Sequence, residues 1–393
     1  MKFSKGLVYD SAKGNILVLK MVLLNKTFEI LKTHSHRFQR LGNLLHLEKP
    51  TLYNKKIANN DLSSNFHPSS GHLYPNRPYE NLLVVIKHTP YEMYKQLKLR
   101  GEAPLALRWE RLKHRHNTHV KSVASLLELL KRQFTSNIQC IGREELAPQH
   151  VEKADLVVSI GGDGTVLSVS HFLDDSIPLL GVNSDPSLPS EKQVAKKTDE
   201  RRSHGALCYC TSSDMHELLP MVLGKEVMPT RRTRIQTVIQ SMLKETKLPP
   251  ALNDVLIAHP SPAAVSRFRL ALLSEMHGDG EEEEIMYLNV WSSGIWIATP
   301  TGSTGAMGAA GGVVVPSNLS ELQYMVREHL LEKGYEKLKS RGHGMVGPLH
   351  KLAIRWSSQE GRVYVDGDHV SHRLQLGDQV EISGAAPQLL LYY

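Results

Sequence analysis

Leu156-Val157-Val158-Ser159-Ile160-Gly161-Gly162-Asp163-Gly164-Thr165 sets one carboxylate among three glycines, behind a short branched apolar run and ahead of a helical pattern. A run of this kind is buried on both faces of a parallel sheet, so Asp163 falls at the carboxyl end of a strand. In an open α/β sheet that end faces the ligand crevice, and glycines there let backbone N–H groups approach phosphate oxygens that a Cβ would hold off. Beyond Thr165, the residues Val166, Leu167, Val169, Phe172 and Leu173 recur at helical spacing. The turn therefore feeds a helix N-terminus, whose dipole favours an anion. Taken alone, the ten residues fit either a phosphate-handling turn or a plain strand-to-helix turn. No Gly-Lys-Ser/Thr follows, so the segment is not a Walker A loop.

The alternation continues outward. Residues 82–87 read as a buried strand, 120–133 as an amphipathic helix through Val123, Leu126, Leu127, Leu129 and Leu130, and 138–141 and 177–182 as further strands. Strands alternating with helices specify a parallel, right-handed α/β unit. Residues 184–204, rich in Ser, Pro, Lys, Asp and Glu, read as a surface loop. After Met228 the pattern changes to short β-prone runs at 234–239, 268–273, 285–290, 294–298, 351–355 and 362–365. The fold class expected is α/β plus β. A Rossmann-like α/β domain occupies 79–227, a mainly β domain occupies 228–393 with its last residues free to rejoin the first, and a site lies in the crevice between them. Residues 1–78 are expected to be a basic, poorly ordered extension.

A chain of 393 residues has room for two domains and a sizeable core. With 41% hydrophobic and 22% charged residues it reads as a soluble globular protein. Lys20 and Lys26 break up the apolar residues around 16–24, which fall short of the ~18 needed for a membrane span. Cys140, Cys208 and Cys210 make no disulfide framework, and Cys208-x-Cys210 lacks accompanying metal ligands, so a reducing compartment is expected. The formal charge of +7 is concentrated in residues 1–78, which carry a net +8 and leave the remainder near neutral. No nucleic-acid footprint follows for the folded part. The extension suits an organellar presequence or an unstructured tail, but its low Arg content argues against the former. A cytoplasmic location is expected, with a mitochondrial or other organellar one as the alternative. The acidic run 279–284 reads as a solvated hairpin loop, and His114, His116 and His119 as a solvated helix start.

A second constellation follows the apolar run 294–298. Thr299-Pro300-Thr301-Gly302-Ser303-Thr304-Gly305-Ala306-Met307-Gly308-Ala309-Ala310-Gly311-Gly312 is built of small and hydroxyl residues that let backbone pack directly on a flat polar ligand, or helix on helix. Earlier, Asn253-Asp254 places an amide and a carboxylate ahead of an apolar strand, suited to a base edge and ribose hydroxyls or to capping a turn.

In their order and separation, Gly161-Gly162-Asp163-Gly164-Thr165, Asn253-Asp254, Thr299-Pro300-Thr301-Gly302-Ser303-Thr304 and Val365-Asp366-Gly367 resemble the NAD kinase family. The first motif is shared with related lipid kinases; the third is much more specific. Residues 1–78 take no part. The resemblance implies that the mainly β domain binds a dinucleotide and that a homo-oligomer, a dimer, completes the site. It also implies an enzyme that uses ATP, with Mg²⁺, to phosphorylate the adenosine ribose 2′-hydroxyl of NADH, and less well of NAD⁺. By the same resemblance Asp163 is the catalytic aspartate, and Gly161, Gly162, Gly164 and Thr165 form the phosphate turn. Asn253 and Asp254 are the substrate pair, Thr301, Thr304 and Gly305 lie on the adenine side, and Asn183, Ser293 and Asp366 stand close by.

Three departures stand out. Ala306 replaces a Tyr that commonly stacks on adenine, Ser293 replaces an Asp near the nicotinamide, and Gly181-Val182-Asn183-Ser184-Asp185-Pro186 replaces a Gly-x-Asn-x-Gly-x-Leu-Gly run. They resemble the divergent plant NADH kinase and animal mitochondrial branch. Loss of a carboxylate beside the positively charged nicotinamide is a physical reason to prefer NADH. A lipid kinase and a non-catalytic NAD(H)-binding regulator remain as alternatives at this point. Lys192, Lys196, Lys197, Arg231, Arg232 and Arg234 are basic residues that either meet phosphates or are solvated.

Overall fold

The apolar runs around Asp163 pair in parallel because neither of their faces meets water. Residues 79–133, 137–186, 205–275, 282–331, 340–368 and 370–393 are described in this computed structural model. The extension at 1–78 and the loop from 187 to 204 lie outside the described residues. The first strands are β1 (Asn81–Ile86), β2 (Asn137–Gly142), β3 (Leu156–Gly161), β4 (Leu179–Asn183), β5 (Cys210–Thr211) and β6 (Thr230–Arg232). Between them run the helices α1 (Pro90–Leu99), α2 (Trp109–Gln133), α3 (Asp163–Ser170) and α4 (Met215–Leu223). The later strands are β7 (Gln236–Gln240), β8 (Glu245–Lys247), β9 (Asp254–Ala258), β10 (Ser266–Glu275), β11 (Glu282–Ser292) and β12 (Gly294–Ala298). After them come β13 (Leu322–Arg327), β14 (His343–Val346), β15 (His350–Trp356), β16 (Glu360–Val365), β17 (Val370–Gln375), β18 (Gln379–Ser383) and β19 (Leu389–Tyr392).

The first sheet has the order β2-β1-β3-β4-β19-β6, with β5 also on β4. Every residue of β3 is buried. Alternate side chains of the sheet enter two cores. Leu82, Val84, Val158 and Ile160 pack with Leu126 and Leu130 of α2 and Leu219 of α4, while Leu83, Val85 and Val157 pack with Val166 and Val169 of α3. Each such side chain contributes roughly 1.5–3 kcal/mol by leaving water. The remaining strands make two six-stranded antiparallel sheets, β11-β10-β15-β18-β7-β8 and β14-β13-β12-β9-β16-β17. Their inner faces meet in one core, where Phe268 and Trp356 stack at 6.0 Å among Ile, Leu and Val. The class is therefore α/β followed by mainly β.

Four sequence expectations change. The helix expected at 120–133 begins at Trp109, and its first half is held by aromatic and polar contacts that an aliphatic pattern does not register. Tyr91 of α1 stacks on His116 at 5.0 Å and meets Trp109 edge-on at 6.4 Å. The histidines accordingly lie inside the helix and are not uniformly solvated: His114 is exposed, but His119 is 5% exposed, and its Nδ1 lies 2.8 Å from Ser184 Oγ. Ser184, expected in a surface loop, is buried by the same contact. Finally, Glu282, Glu283 and Glu284 belong to β11, opposite Glu275, Ser274 and Leu273, and Arg269 Nη2 holds Glu284 Oε2 at 2.9 Å. The rest of that acidic run lies outside the described residues.

Burial, and then the charge of Lys87, lower His119 from 6.5 to about 4. Its folded pKa lies below the unfolded one, so the unfolded chain binds more protons between these values. Stability is complete above pH 6.5 and is lost as pH falls toward 4. At pH 5 the loss from this group is about 2 kcal/mol. A His119→Gln variant is expected to lose less Tm between pH 7.5 and pH 5 than the parent chain in thermal scans. An equal loss would mean that other groups carry the acid sensitivity.

Candidate functional site

The turn after β3 closes tightly because Gly161 has no side chain. A Cβ there would overlap the Thr165 hydroxyl and meet Lys87 Cβ at 3.0 Å. Gly162 caps α3, and its carbonyl accepts the N–H of Thr165 at 2.8 Å. Gly164 is different: it is exposed, and a Cβ added to it would meet nothing within 4 Å. Asp163, half-buried, is the first residue of α3, and Leu207 N–H donates to its Oδ1 at 2.8 Å. Gly181 on β4 makes that bond reachable, since a Cβ would sit 3.0 Å from Cys208 Cα and from the Leu207 carbonyl. Burial, then the Asp163 charge, push the Cys208 thiol well above its usual range. Cys208 is therefore a protonated packing residue.

Basic side chains meet at the carboxyl edge of the sheet. Lys87 directly follows β1, and its N–H donates to the Ile160 carbonyl at 3.0 Å. Burial lowers its pKa, Asp185 opposes that, and the charges of Arg115 and Arg143 lower it further. Arg115 Nε lies 3.1 Å from Asp185 Oδ2. Sequence reasoning passed over this edge; its signal was a lysine closing a fully apolar strand. Asn183 is buried, its Oδ1 accepting the N–H of Asp185 at 3.2 Å while its side chain packs on Gly205. Arg234 is buried as well. Its guanidinium donates to the carbonyls of Ser170 at 3.0 Å, Leu173 at 2.8 Å and Pro387 at 2.6 Å, so it grips the carboxyl end of α3.

The second constellation is stitched to Asn253. Thr299 donates through N–H to the Asn253 carbonyl at 2.9 Å and through Oγ1 to the Leu252 carbonyl at 2.6 Å, and it accepts the N–H of Gly302 at 3.1 Å. Gly302 lies directly on the Asn253 peptide, where a Cβ would overlap its carbonyl. Ser303 is buried and donates to the Pro300 carbonyl at 2.7 Å. Thr301 is half-buried, while Thr304 and Gly305 are exposed on the same turn. Asp366 fixes the other side: Oδ1 accepts from Asn253 N–H at 2.7 Å and Asp254 N–H at 3.0 Å, and Oδ2 from Leu252 N–H at 2.8 Å. Leu252 packs in one core with Val166 and Leu167 of α3, which brings the Asn253-Asp254 pair beside the helix that starts with Asp163.

Asp254 opens into a cavity of about 420 Å³ that Ser293, Trp296, Arg327, Tyr364 and Asp368 also line. Asp163 does not line it. The Arg327 guanidinium lies 5.8 Å from the centre of the Trp296 ring. Burial, and then the Asp366 charge, push the Asp254 carboxyl up to about 7. The structure thus gathers Asp163 with the glycine turn, Asn253-Asp254 with Asp366 and residues 299–305, and Ser293 with Asp254 on the wall of one cavity.

A glycine-bounded carboxylate opening a helix, joined to a polar turn beside an aromatic cavity, has the parts of a phosphotransferase for a ribose-bearing substrate. Residues 76–185 match the family described as ATP-NAD kinase N-terminal domain. The chain is 39% identical over 292 residues to a probable NADH kinase of Oryza sativa subsp. japonica, covering 74% of this chain and 86% of the rice protein. It is 37% identical over 316 residues to an NADH kinase of Arabidopsis thaliana, covering 79% and 95%. The chain belongs to the NAD kinase family. Among solved structures, an NAD kinase from Archaeoglobus fulgidus in complex with ATP aligns with TM-score 0.53 at 19% identity, over 80% of this chain and 93% of that one. Yeast NADH kinase complexed with NADH aligns with TM-score 0.50 at 16% identity, over 78% of each chain. At these identities the likeness is one of fold.

Gly302→Ala is expected to push the Asn253 peptide away and weaken NADH binding about tenfold or more, some 1.4 kcal/mol, in a fluorescence titration. Unchanged affinity would show that Asn253 is not part of the binding surface.

Proposed function

We propose that this protein is an NAD(H) kinase that moves the terminal phosphoryl group of ATP to the 2′-hydroxyl of the adenosine ribose, with NADH preferred over NAD⁺. The observation that carries the reading is the placement of Asp163: first residue of α3, behind a glycine turn, on the helix that packs against Leu252 beside the Asn253-Asp254 pair. Asp163 orients the ribose hydroxyl and takes its proton as the O–P bond forms and the bond to ADP breaks. Such a reaction rests on positioning and charge neutralisation. Turn N–H groups and the dipole of α3 meet the triphosphate, Lys87 supplies a cation beside Gly161, and Mg²⁺ arrives bound to ATP as part of the substrate.

Asn253 and Asp254 hold the ribose and base, with Thr301, Thr304 and Gly305 on the adenine side. Ser293 and Arg327 together make the Asp254 cavity less attractive to a cationic nicotinamide, which favours the reduced ring. A homodimer belongs to the proposal, motivated by half-exposed aromatics Tyr287 and Trp291 on the edge strand β11, and light scattering at the mass of two chains would support it. A cytoplasmic setting is the remaining expectation, testable by tagging the chain with and without residues 1–78.

Purified protein supplied with Mg²⁺-ATP is expected to form NADPH from NADH faster than NADP⁺ from NAD⁺, and Ser293→Asp to shift that ratio toward NAD⁺. An unchanged ratio in the variant would remove the charge explanation. Asp163→Asn is expected to lower kcat at least ~10²-fold while Tm holds; turnover like the parent's would refute the assignment. Because burial pushes the Asp254 carboxyl up to about 7, and only its ionised form offers two charged acceptor oxygens to ribose hydroxyls, KM for NADH is expected to fall as pH rises through about 7. Asp254→Asn should flatten that profile.

A further inference from the structure

We propose that His171 is a positioning residue for the phosphoryl transfer, acting through the carboxylate of Asp366 to keep the Asn253-Asp254 peptide in register with Asp163. The inference rests on the kinase reading above. His171 caps the carboxyl end of α3, the helix whose first residue is Asp163. Its Nε2 lies 2.9 Å from Asp366 Oδ2, with the two side chains 4% and 0% exposed. Asp366 accepts at both oxygens, so the ring nitrogen is the donor in this pair. The other donors to the same carboxylate are the N–H groups of Leu252, Asn253 and Asp254. One buried carboxylate is therefore shared between the catalytic helix and the substrate-binding peptide.

Two features separate this contact from ordinary fold cement. The first is that α3 is already fastened without it, because Arg234 holds the Ser170, Leu173 and Pro387 carbonyls and Leu252 packs with Val166 and Leu167. The second is the backbone of Asp366, which has φ +51. Asp adopts this region more readily than most residues, and at the Asp366-Gly367 corner between β16 and β17 it fixes the direction in which the carboxylate leaves the chain. Without the His171 bond, Oδ2 loses a donor, and the carboxylate has room to rotate toward its remaining partners. The peptide it holds would shift by tenths of an ångström, enough to misplace a ribose hydroxyl relative to Asp163.

The test compares His171→Leu, which fills the space without a donor, with His171→Gln, whose carboxamide nitrogen can reach the Nε2 position. ADP and NADPH are both counted in assays with Mg²⁺-ATP and NADH. The Leu variant is expected to lose kcat about tenfold or more, keep KM for ATP within about twofold, and release ADP in excess of NADPH as the misplaced ribose yields to water. The Gln variant is expected to restore most of kcat and the one-to-one product ratio. Equal behaviour of Leu and Gln, whether both intact or both impaired, would overturn the proposal. If the Leu variant does not fold, His171→Asn takes its place, since its shorter amide reaches only the Nδ1 position; equal kcat for Asn and Gln is then the contrary result. Absence of NADPH from the parent enzyme would count against the kinase reading itself, before any variant is compared.

Discussion

The carboxylate of Asp366 is the interaction on which the site depends. It accepts from three successive main-chain N–H groups, Leu252 to Asp254, and from His171. A buried carboxylate so surrounded has its lone pairs satisfied, which lets a charge sit in the interior without the penalty that an unpaired one would incur. The same charge raises the Asp254 carboxyl next to it. One residue thus shapes the backbone at Asn253 and Asp254 and adds to the rise that burial already imposes on the Asp254 carboxyl. The positive φ of Asp366 belongs to the Asp366-Gly367 corner between β16 and β17, so the hairpin turn itself places the carboxylate.

Electrostatics divide the site into two ends. Around the glycine turn, Lys87, Arg115 and Arg143 gather on the carboxyl edge of the parallel sheet, while Asp254, Asp366 and Asp368 stand at the other end. Burial is the largest influence on both Lys87 and Asp254, and it drives each toward its neutral form. A triphosphate beside Lys87 would draw the ammonium back to full charge, so part of the attraction for the phosphoryl donor arises only on binding. Polyanion at one end and ribose hydroxyls at the other is the arrangement that an in-line transfer between them requires.

Those parts of the fold that follow from periodicity were legible in the sequence. β3 is apolar at every position because both faces are covered, and β12 coincides with the run read at 294–298. The first half of α2 was not legible, since Trp109 and His116 are held by ring contacts with Tyr91 and His119 is buried against the Ser184 hydroxyl. For β19 the sequence allowed a return of the last residues to the first domain but not a strand, because a four-residue apolar run at the chain end becomes one only by pairing with β4 and β6, far away in sequence. At the site, Asp163, Asn253-Asp254 and residues 299–305 stood out through unusual composition. Lys87 and His171 did not, and Arg234 stood out only as a basic residue, for each is a single residue whose role comes from what the fold brings against it.

The return of the chain end has a mechanical consequence. β6 leads out of the first sheet into the β domain and β19 leads back, and the two pair antiparallel through Leu389↔Arg232 and Leu391↔Thr230. Both connections between the domains therefore leave from adjacent strands, and Arg234 ties them together by donating to the Pro387 carbonyl on the returning segment and to the end of α3. Two connections paired side by side and tied to the end of α3 oppose rotation of one domain against the other. Register between Asp163 and Asp254 is then a property of the folded joint, with the Asp366 clamp trimming it locally. Precision of this kind is held in advance of binding, so substrate binding energy is spared the work of assembling the site.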